Sequence, residues 1–241
     1  MTAISPRFLD AGEAALVVEL GRSVDPAVHD QVLALDRALI ALALPGVRET
    51  VPTFRSLMIH YDPLVIDRAR LVERVRAVEL DARAPARAAR WTIPCCYDAA
   101  FGEDLAEIAA TTGLPEERVV ALHAGATLRV YMYGFLPGFC YLGGMPPELV
   151  ISRRATIRPP HAAGAVIIAD GMSVITTFVM PTGWWVIGCT PERLFAPMRD
   201  PSFLVGVGDS LRFEAIDRAT FEALAARVAA GEIVARRDTT P

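Results

Sequence analysis

Hydrophobic positions in the first 80 residues alternate between a two-residue period and a helical period. Across residues 7–20 the apolar positions alternate around Ala11-Gly12, which predicts a β-hairpin. Asp25-Pro26 then provides a helix N-cap and first turn, and Pro45-Gly46 ends the segment. Between these signals the apolar stripe of one amphipathic helix consists of Val28, Val32, Leu35, Leu39 and Leu42.

Two further β-like runs and a second helical stretch follow this helix. Residues 47–61 contain two short β-like runs, and a second helical stretch starts near Asp67, which gives the order β-β-α-β-β-α. Hairpins and helices segregated in this way predict a small α+β layered domain over residues 1–82, rather than a doubly wound parallel sheet. Residues 83–90 contain a proline and no large apolar side chain, so they are expected to be a linker.

Residues 91–241 are mostly strand-like and predict a second domain. A strand at residues 91–94 precedes two short helices, at residues 104–112 and 116–123. Gly- and Pro-bearing turns separate the β-runs that follow, which favours a closed barrel or sandwich; these runs are residues 128–133, 165–169, 173–178, 184–189 and 210–213. A last helix is expected from about Asp217 to Gly231, with a frayed end over residues 236–241.

Composition narrows the classes of function. All 24 Lys+Arg residues are arginine and the chain has no lysine, which excludes a P-loop lysine, a Schiff base and attachment of biotin to this chain. A net charge of −4 without a basic module disfavours nucleic acid as a partner. No signal-like N-terminus or apolar run of about 18 residues is present, so we expect a cytoplasmic protein without membrane contact.

A run of glycines and aromatic residues directly after residues 128–133 is the most unusual stretch. Glycines permit positive φ and close approach of a ligand to the backbone, and aromatic rings provide stacking walls. The alternative is that a barrel corner needs glycine and its mouth needs aromatic filling. The candidate substrate-binding residues in this loop are Gly134, Phe135, Pro137, Gly138, Phe139, Tyr141, Gly143 and Gly144.

Other candidate residues carry charge. Arg153, Arg154 and Arg158 could hold a carboxylate or phosphate through bidentate forks, or could be solvated surface residues. His123 is a candidate general acid or base, with a helix cap or core position as the alternative. The histidines are far apart in sequence and the four cysteines lack ligand spacing, so we expect buried free thiols and no metal site.

Several of these motifs, in this order, resemble one family. They include Tyr97-Asp98, Gly113-Leu-Pro115, the run from Gly134 to Gly144, Arg153-Arg154, Gly183-Trp184, Thr190-Pro191 and Gly208-Asp209. The run G-F-x-P-G-F-x-Y-L-G-G is long and specific, and the resemblance covers almost the whole chain. The chain is similar to the allophanate hydrolase subunit 1 family, also described as carboxyltransferase subdomain C and D, which includes the 5-oxoprolinase B subunit and the KipI-type kinase inhibitor.

The resemblance implies a fold and a role. It implies an α+β chain in which a small α+β domain precedes a cyclophilin-like β-barrel. It also implies a heteromeric hydrolase complex of the 5-oxoprolinase or allophanate hydrolase type, in which this subunit is not active alone. The implied partners are a KipA-like subunit-2 protein and a lactam-utilisation protein, with ATP acting at the level of the complex. The alternatives are a histidine-kinase inhibitor and the carboxyltransferase part of a urea carboxylase-like system with a separate biotin carrier.

The chain departs from the family pattern in two neighbouring stretches. In residues 163–177, Asp170 and Val174 replace glycines, Met172 replaces a glutamine and Thr176 replaces a tyrosine. Further on, Cys189 stands where the family has an arginine. The loss of a glutamine and an arginine removes polar groups that a site could use, which would suit a regulatory role of the KipI type.

Overall fold

A computed structural model describes residues 6–79 and 88–238 of the chain. The chain divides into two compact units, Met1–Arg87 and Ala88–Pro241. Most of the predicted linker, residues 83–87, lies outside the described residues. Its last residue, Arg90, already begins a strand of the second unit.

The first unit is a four-stranded antiparallel sheet with two helices packed on it. The strands are β1 (Arg7–Asp10), β2 (Ala15–Glu19), β3 (Val47–Pro52) and β4 (Ser56–Tyr61), in the sheet order β1-β2-β4-β3. The helices are α1 (Pro26–Leu42) and α2 (Arg68–Arg76). Their apolar faces and that of the sheet form one core, which includes the fully buried Leu16, Leu39, Leu57, Ile59 and Leu71.

Local signals in the sequence account for the helix boundaries in this unit. Asp25 accepts a hydrogen bond from the Ala27 N–H at 2.7 Å, and Pro26 occupies the first turn of α1. Asp67 accepts one from the Arg70 N–H at 2.9 Å at the start of α2. The predicted N-cap Asp25 therefore marks the start of α1, and Asp67, the predicted start of the second helix, caps α2.

The second unit is a closed seven-stranded barrel. Its strands are β5 (Arg90–Cys96), β6 (Leu128–Tyr133), β7 (Cys140–Gly143), β9 (Ala165–Ala169), β10 (Met172–Ile175), β12 (Trp185–Cys189) and β13 (Ser210–Ile216). They follow the order β12-β9-β10-β7-β6-β13-β5, and the ring closes where Cys189 lies opposite Cys96. Strands β8 (Arg158–His161) and β11 (Met180–Thr182) form a two-stranded ribbon of their own.

Helices cover parts of the barrel. They are α3 (Leu105–Thr112), α4 (Glu116–Gly125), a short 3₁₀ helix (Pro147–Leu149) and α5 (Arg218–Ala229). Ile108 of α3 and Val119 of α4 join strand residues such as Leu128 and Ile168 in one buried core. Among the described residues, none of the helices combines the length and the apolar character that a membrane span requires.

The predicted α+β fold class is confirmed, with a small layered unit followed by a closed barrel. The predicted fraying was wrong for residues 236–238. These residues form β14 (Arg236–Asp238), which pairs antiparallel with β5. Arg236 also donates two hydrogen bonds to Glu214, at 2.7 and 2.9 Å. The pairing partner lies far away in sequence, so the local pattern did not contain this strand.

Candidate functional site

The connection between β6 and β7 contains residues 134–139 of the predicted binding loop. The prediction of a loop was wrong for residues 140–143, which form β7 and pair with β6 and β10. Phe135 has a φ of 70°, a left-handed conformation that bulky residues rarely adopt, and its side chain is 72% exposed. Gly138 has a φ of 74°, and a Cβ there would lie 2.3 Å from Cβ of Phe195. The Thr177 hydroxyl donates to the Pro137 carbonyl at 2.8 Å. The loop is therefore fixed against neighbouring loops while it exposes an aromatic ring.

Four rings form an aromatic row, defined as Phe135, Phe139, Tyr141 and Trp184, which leads from the exposed Phe135 into a buried cluster that contains Phe139 and Trp184. Successive ring centroids are 5.4, 5.4 and 6.2 Å apart, all in edge-on geometry. The Arg153 guanidinium lies 5.5 Å from the Trp184 ring centroid. Of the three predicted arginines, the structure places only Arg153 against the aromatic row.

The remaining glycines of the predicted loop have packing roles. The Gly134 N–H donates to the Phe139 carbonyl at 3.1 Å, which closes the loop. A Cβ at Gly143 would meet the Tyr131 ring at 2.6 Å, and Gly144 has a φ of 102°. These contacts match the barrel-corner alternative that the sequence left open. Anion binding by the Gly143 and Gly144 amides stays a prediction.

Arg154 and Arg158 instead face carboxylates at the start of α3. Asp104 is fully buried, and one of its oxygens accepts hydrogen bonds from Arg154, at 3.0 Å, and from Arg158. Its other oxygen accepts the Val186 N–H at 2.8 Å. Glu107, in the first turn of α3, accepts hydrogen bonds from the same two arginines at 3.0 and 2.8 Å.

A histidine extends this ion-pair cluster, defined as Glu103, Asp104, Glu107, Arg154, Arg158 and His161. His161 Nδ1 lies 2.6 Å from a Glu103 oxygen. The Arg154 guanidinium also lies 4.3 Å from the Trp185 ring centroid. Three buried atoms of the cluster have no hydrogen-bond partner among the described residues: Nε of Arg154, Nε of Arg158 and Nε2 of His161.

The cluster changes what the predicted arginines can do. Both terminal nitrogens of Arg154 already donate to carboxylates, so an incoming carboxylate or phosphate would have to displace an internal partner. Arg153 is more exposed and has a longer ion pair, 3.4 Å to Asp170. The sequence pattern did not indicate that Asp104 and Glu107 pair with these arginines. The spacing of Asp104 and Glu107 around a helix start, where negative charge is favourable, was the available signal.

An open groove lies beside the cluster. Its volume is about 450 Å³, within the range of small-molecule sites. The lining consists of Thr111 from α3, residues 150–156, which include Arg153 and Arg154, and Trp185 from β12. The Trp185 indole N–H donates to the Ser152 carbonyl at 2.8 Å, which holds one wall to another. This groove is the candidate ligand site of the second unit.

His123 lies in the core, away from this groove. It is fully buried, Tyr97 Oη lies 2.8 Å from Nδ1, and Ser173 Oγ lies 3.3 Å from Nε2. Its ring stacks on Phe213 with centroids 4.7 Å apart. Burial lowers the pKa of His123 to about 3, so the ring is neutral at physiological pH. This geometry matches the core alternative for His123, and a role as general acid or base stays a prediction.

The cysteines are buried free thiols, as predicted. Burial raises the pKa of Cys140 and of Cys189 to about 12, and raises the pKa of Cys95 and Cys96 as well. A thiol of this kind is a poor nucleophile because little thiolate is present. Among the described residues, no three His, Cys, Asp or Glu side chains are grouped to hold a metal ion.

Comparison with known proteins identifies the family of this chain. The carboxyltransferase domain, subdomain C and D, matches residues 6–205. The B subunit of 5-oxoprolinase from Bacillus subtilis (strain 168) is 31% identical over 226 residues, which cover 88% of this chain and 93% of that protein.

Solved structures give the same result for the fold. TTHA0988 is 33% identical with a TM-score of 0.76; the match covers 84% of this chain, which spans only 40% of that longer protein. The urea amidolyase of K. lactis matches 99% of this chain with a TM-score of 0.82, at 16% identity and over 17% of its own length, and so shares the fold. The chain belongs to the carboxyltransferase subdomain C and D family.

Proposed function

We propose that this chain is a subunit of an ATP-dependent amide or lactam hydrolase complex of the 5-oxoprolinase type. The observation that carries the proposal is the near full-length match to relatives named as the B subunit of 5-oxoprolinase, with 93% of the Bacillus subtilis protein covered at 31% identity. A match of this extent includes both units of the chain, so the relationship is not limited to one shared module.

The chemistry of the second unit supports a subunit that does not act alone. Its thiols are buried, His123 is enclosed in the core, and the described residues provide no metal-ligand group. The hydroxyl nearest to His123, Ser173 Oγ at 3.3 Å from Nε2, is itself buried. We therefore assign the bond-breaking residues to another subunit and assign ligand binding in the groove to this chain.

The exposed end of the aromatic row, Phe135, supports a protein partner. Phe135 is 72% exposed and has an unfavourable left-handed backbone conformation. Phe178 and Phe203, which lie in other loops, are each 41% exposed. Exposed aromatic side chains gain free energy when another protein covers them. We assign this surface to a subunit-2 protein. The greater length of TTHA0988, of which this chain spans 40%, is consistent with further polypeptide joining this fold.

In this proposal, other chains bind ATP and carry biotin. The sequence has no lysine for biotin or for a P-loop. Arg154 and Arg158 are committed to Asp104 and Glu107, so phosphate would compete with buried ion pairs. ATP would therefore bind to a lactam-utilisation protein or at its interface with this subunit.

Reconstitution tests the proposal. This chain, a subunit-2 protein and a lactam-utilisation protein should form a complex that converts 5-oxoproline to glutamate with consumption of ATP, and omission of this chain should abolish turnover. Allophanate and urea serve as competing substrates in the same assay. A stable complex without turnover of any of the three compounds would contradict the proposal.

Carboxyl transfer is a second candidate, favoured by the match of residues 6–205 to a carboxyltransferase domain. Because this chain cannot carry biotin itself, the candidate requires a separate biotinylated carrier. Transfer of a carboxyl group from carboxybiotin to urea by the complex would support it. A complex that neither binds a biotinylated carrier nor uses carboxybiotin would exclude it.

A further inference from the structure

The seam of the barrel, where β12 meets β5, brings together three of the four cysteines. Cys95 and Cys96 end β5, and Cys189 ends β12. These two strands are joined by a single pair of opposed residues, Cys189 and Cys96, whereas each other contact of the ring involves at least two pairs. The seam is therefore the least extensively paired contact between strands of the described barrel.

Strand alternation directs Cys96 and Cys189 away from the third thiol. Cys95 belongs to the barrel core, and a Cβ at Gly188 would lie 2.9 Å from Cys95 Sγ. Gly188 and Cys95 therefore face the barrel interior. The residues that follow them, Cys189 and Cys96, face outward, because successive residues of a strand point to opposite faces. Cys96 and Cys189 are thus directly opposed on the same outer face of the barrel.

This opposition places the two thiols close to the geometry of a disulfide. Directly opposed residues of an antiparallel pair have Cβ atoms about 4.5–5.5 Å apart, and a disulfide requires about 3.5–4.5 Å. A movement of about 1 Å at the seam would close this difference. The two sulfurs already interact, since the charge of Cys96 adds to burial in raising the pKa of Cys189 to about 12. Both are free thiols in the structure.

We propose that Cys96 and Cys189 are a redox-sensitive pair, which a peroxide converts to a disulfide that joins β5 to β12. Cys189 is 9% exposed and Cys96 is fully buried, so the oxidant meets Cys189 first. The Cys189 sulfur attacks one peroxide oxygen and becomes a sulfenic acid, and the other oxygen leaves as water. The Cys96 sulfur then bonds to the Cys189 sulfur, and the sulfenic oxygen leaves as a second water. Together the two thiols give up two electrons and two protons, which reduce one hydrogen peroxide to two waters.

Burial of the pair determines how fast the disulfide forms. It raises the pKa of both thiols, so little thiolate is present and oxidation should take hours rather than seconds. Once formed, the disulfide closes a long loop, because residues 96 and 189 lie far apart in sequence, and it restricts the unfolded chain. The oxidised chain should therefore resist unfolding better than the reduced chain. The inference concerns the barrel alone and does not depend on the proposed function.

Oxidation of the purified full chain tests the proposal. The reduced chain is incubated with excess hydrogen peroxide, its remaining thiols are alkylated after unfolding, and the peptides are mapped by mass spectrometry. We expect two of the four thiols to escape alkylation, and we expect residues 96 and 189 in one linked pair of peptides that dithiothreitol separates. The urea midpoint of unfolding should rise by about 1 M, and the reductant should reverse this rise.

Single variants identify which thiols are joined. Cys96→Ala and Cys189→Ala should each abolish the linked peptides and the rise of the urea midpoint. Cys95→Ala is the matched control, because this thiol is the sequence neighbour of Cys96 but lies in the barrel core. It should retain both the link and the rise. Each variant is compared with its own reduced form, so the cost of the substitution itself does not enter the comparison.

Four results would overturn the inference. These are alkylation of all four thiols after prolonged oxidation, oxidation of Cys189 to a sulfinic acid without a link, links that form only between separate chains, and a link that is lost in Cys95→Ala but kept in Cys96→Ala. A link between residues 96 and 189 that leaves the urea midpoint unchanged would contradict the expected effect on unfolding, and with it the claim that the disulfide holds the seam.

Discussion

The aromatic row and the ion-pair cluster differ in how far the chain satisfies its own side chains. At the tip of the row, Phe135 is 72% exposed on a left-handed backbone, without a surface to cover it. In the cluster, Arg154 and Arg158 share a fully buried aspartate and a second carboxylate. An uncovered ring gains from a partner, whereas a paired guanidinium gains little from an added anion.

The difference teaches that residue type alone does not locate a binding site. Glycine-aromatic runs and arginine clusters are both typical of sites, but here Phe135 of the run is exposed, whereas Arg154 and Arg158 are already paired with carboxylates. The cluster acts as a rigid, charge-compensated wall beside the groove, since its carboxylates hold β8 and residue 154 to the start of α3. The proposed function accordingly assigns contact with a protein to the exposed Phe135 and contact with a small molecule to the groove.

The largest expected effect on stability comes from a substitution at Asp104, the centre of the ion-pair cluster. Asp104→Asn should lower the free energy of unfolding of the second unit by about 3–5 kcal/mol, because two guanidinium groups lose their shared buried carboxylate. Denaturant unfolding of the full chain measures it. Asp98→Asn, at an exposed carboxylate that caps the Ala100 N–H, is the control and should cost less than about 1 kcal/mol. A similar small cost for Asp104→Asn would mean that the cluster is a solvated surface network.

The next largest effect on stability is expected at Gly138, in the loop between β6 and β7. Gly138→Ala should cost about 3 kcal/mol, because a Cβ would lie 2.3 Å from Cβ of Phe195 in addition to the strain of a φ of 74°. Gly113→Ala is a matched control, since Gly113 has a φ of 71° and a Cβ there meets nothing within 4 Å. It should cost only about 1 kcal/mol. Equal costs would show that Gly138 is needed for its conformation and not for close packing.

Much of the fold followed from local pattern, since periodicity and caps predicted α1, β6 and β9 and the order of units. The local pattern did not predict which distant segments of the chain contact each other. Strand β14 contains only polar residues and depends on β5 for its hydrogen bonds. The acidic residues that neutralise Arg154 and Arg158 lie about 50 residues earlier, and only folding of β8 against α3 brings them together. Sequence predicted the candidate residues but not which were already paired.

The buried histidine adds a pH dependence of intermediate size. The pKa of His123 is lowered from 6.5 to about 3, so its contribution to stability is complete above pH 6.5 and is lost as the pH falls towards 3. At about pH 4.5 this corresponds to a loss of about 2–3 kcal/mol. His123→Gln should flatten the decline, and His60→Gln, in the other unit, should not. Parallel pH profiles for wild type and His123→Gln would contradict burial of a neutral ring.

The last comparison concerns two neighbouring rings of the aromatic row, of which Phe139 is buried and Phe135 is exposed. Phe139→Ala should cost about 3 kcal/mol because this side chain is 4% exposed, whereas Phe135→Ala should cost less than about 0.5 kcal/mol. Association shows the reverse difference: Phe135→Ala should weaken binding to a subunit-2 protein by roughly 30-fold, measured by titration calorimetry with each folded variant. If Phe135→Ala binds like the wild type, the exposed loop is not part of the partner surface. If it unfolds like Phe139→Ala, the row is core throughout, and its contrast with the ion-pair cluster no longer holds.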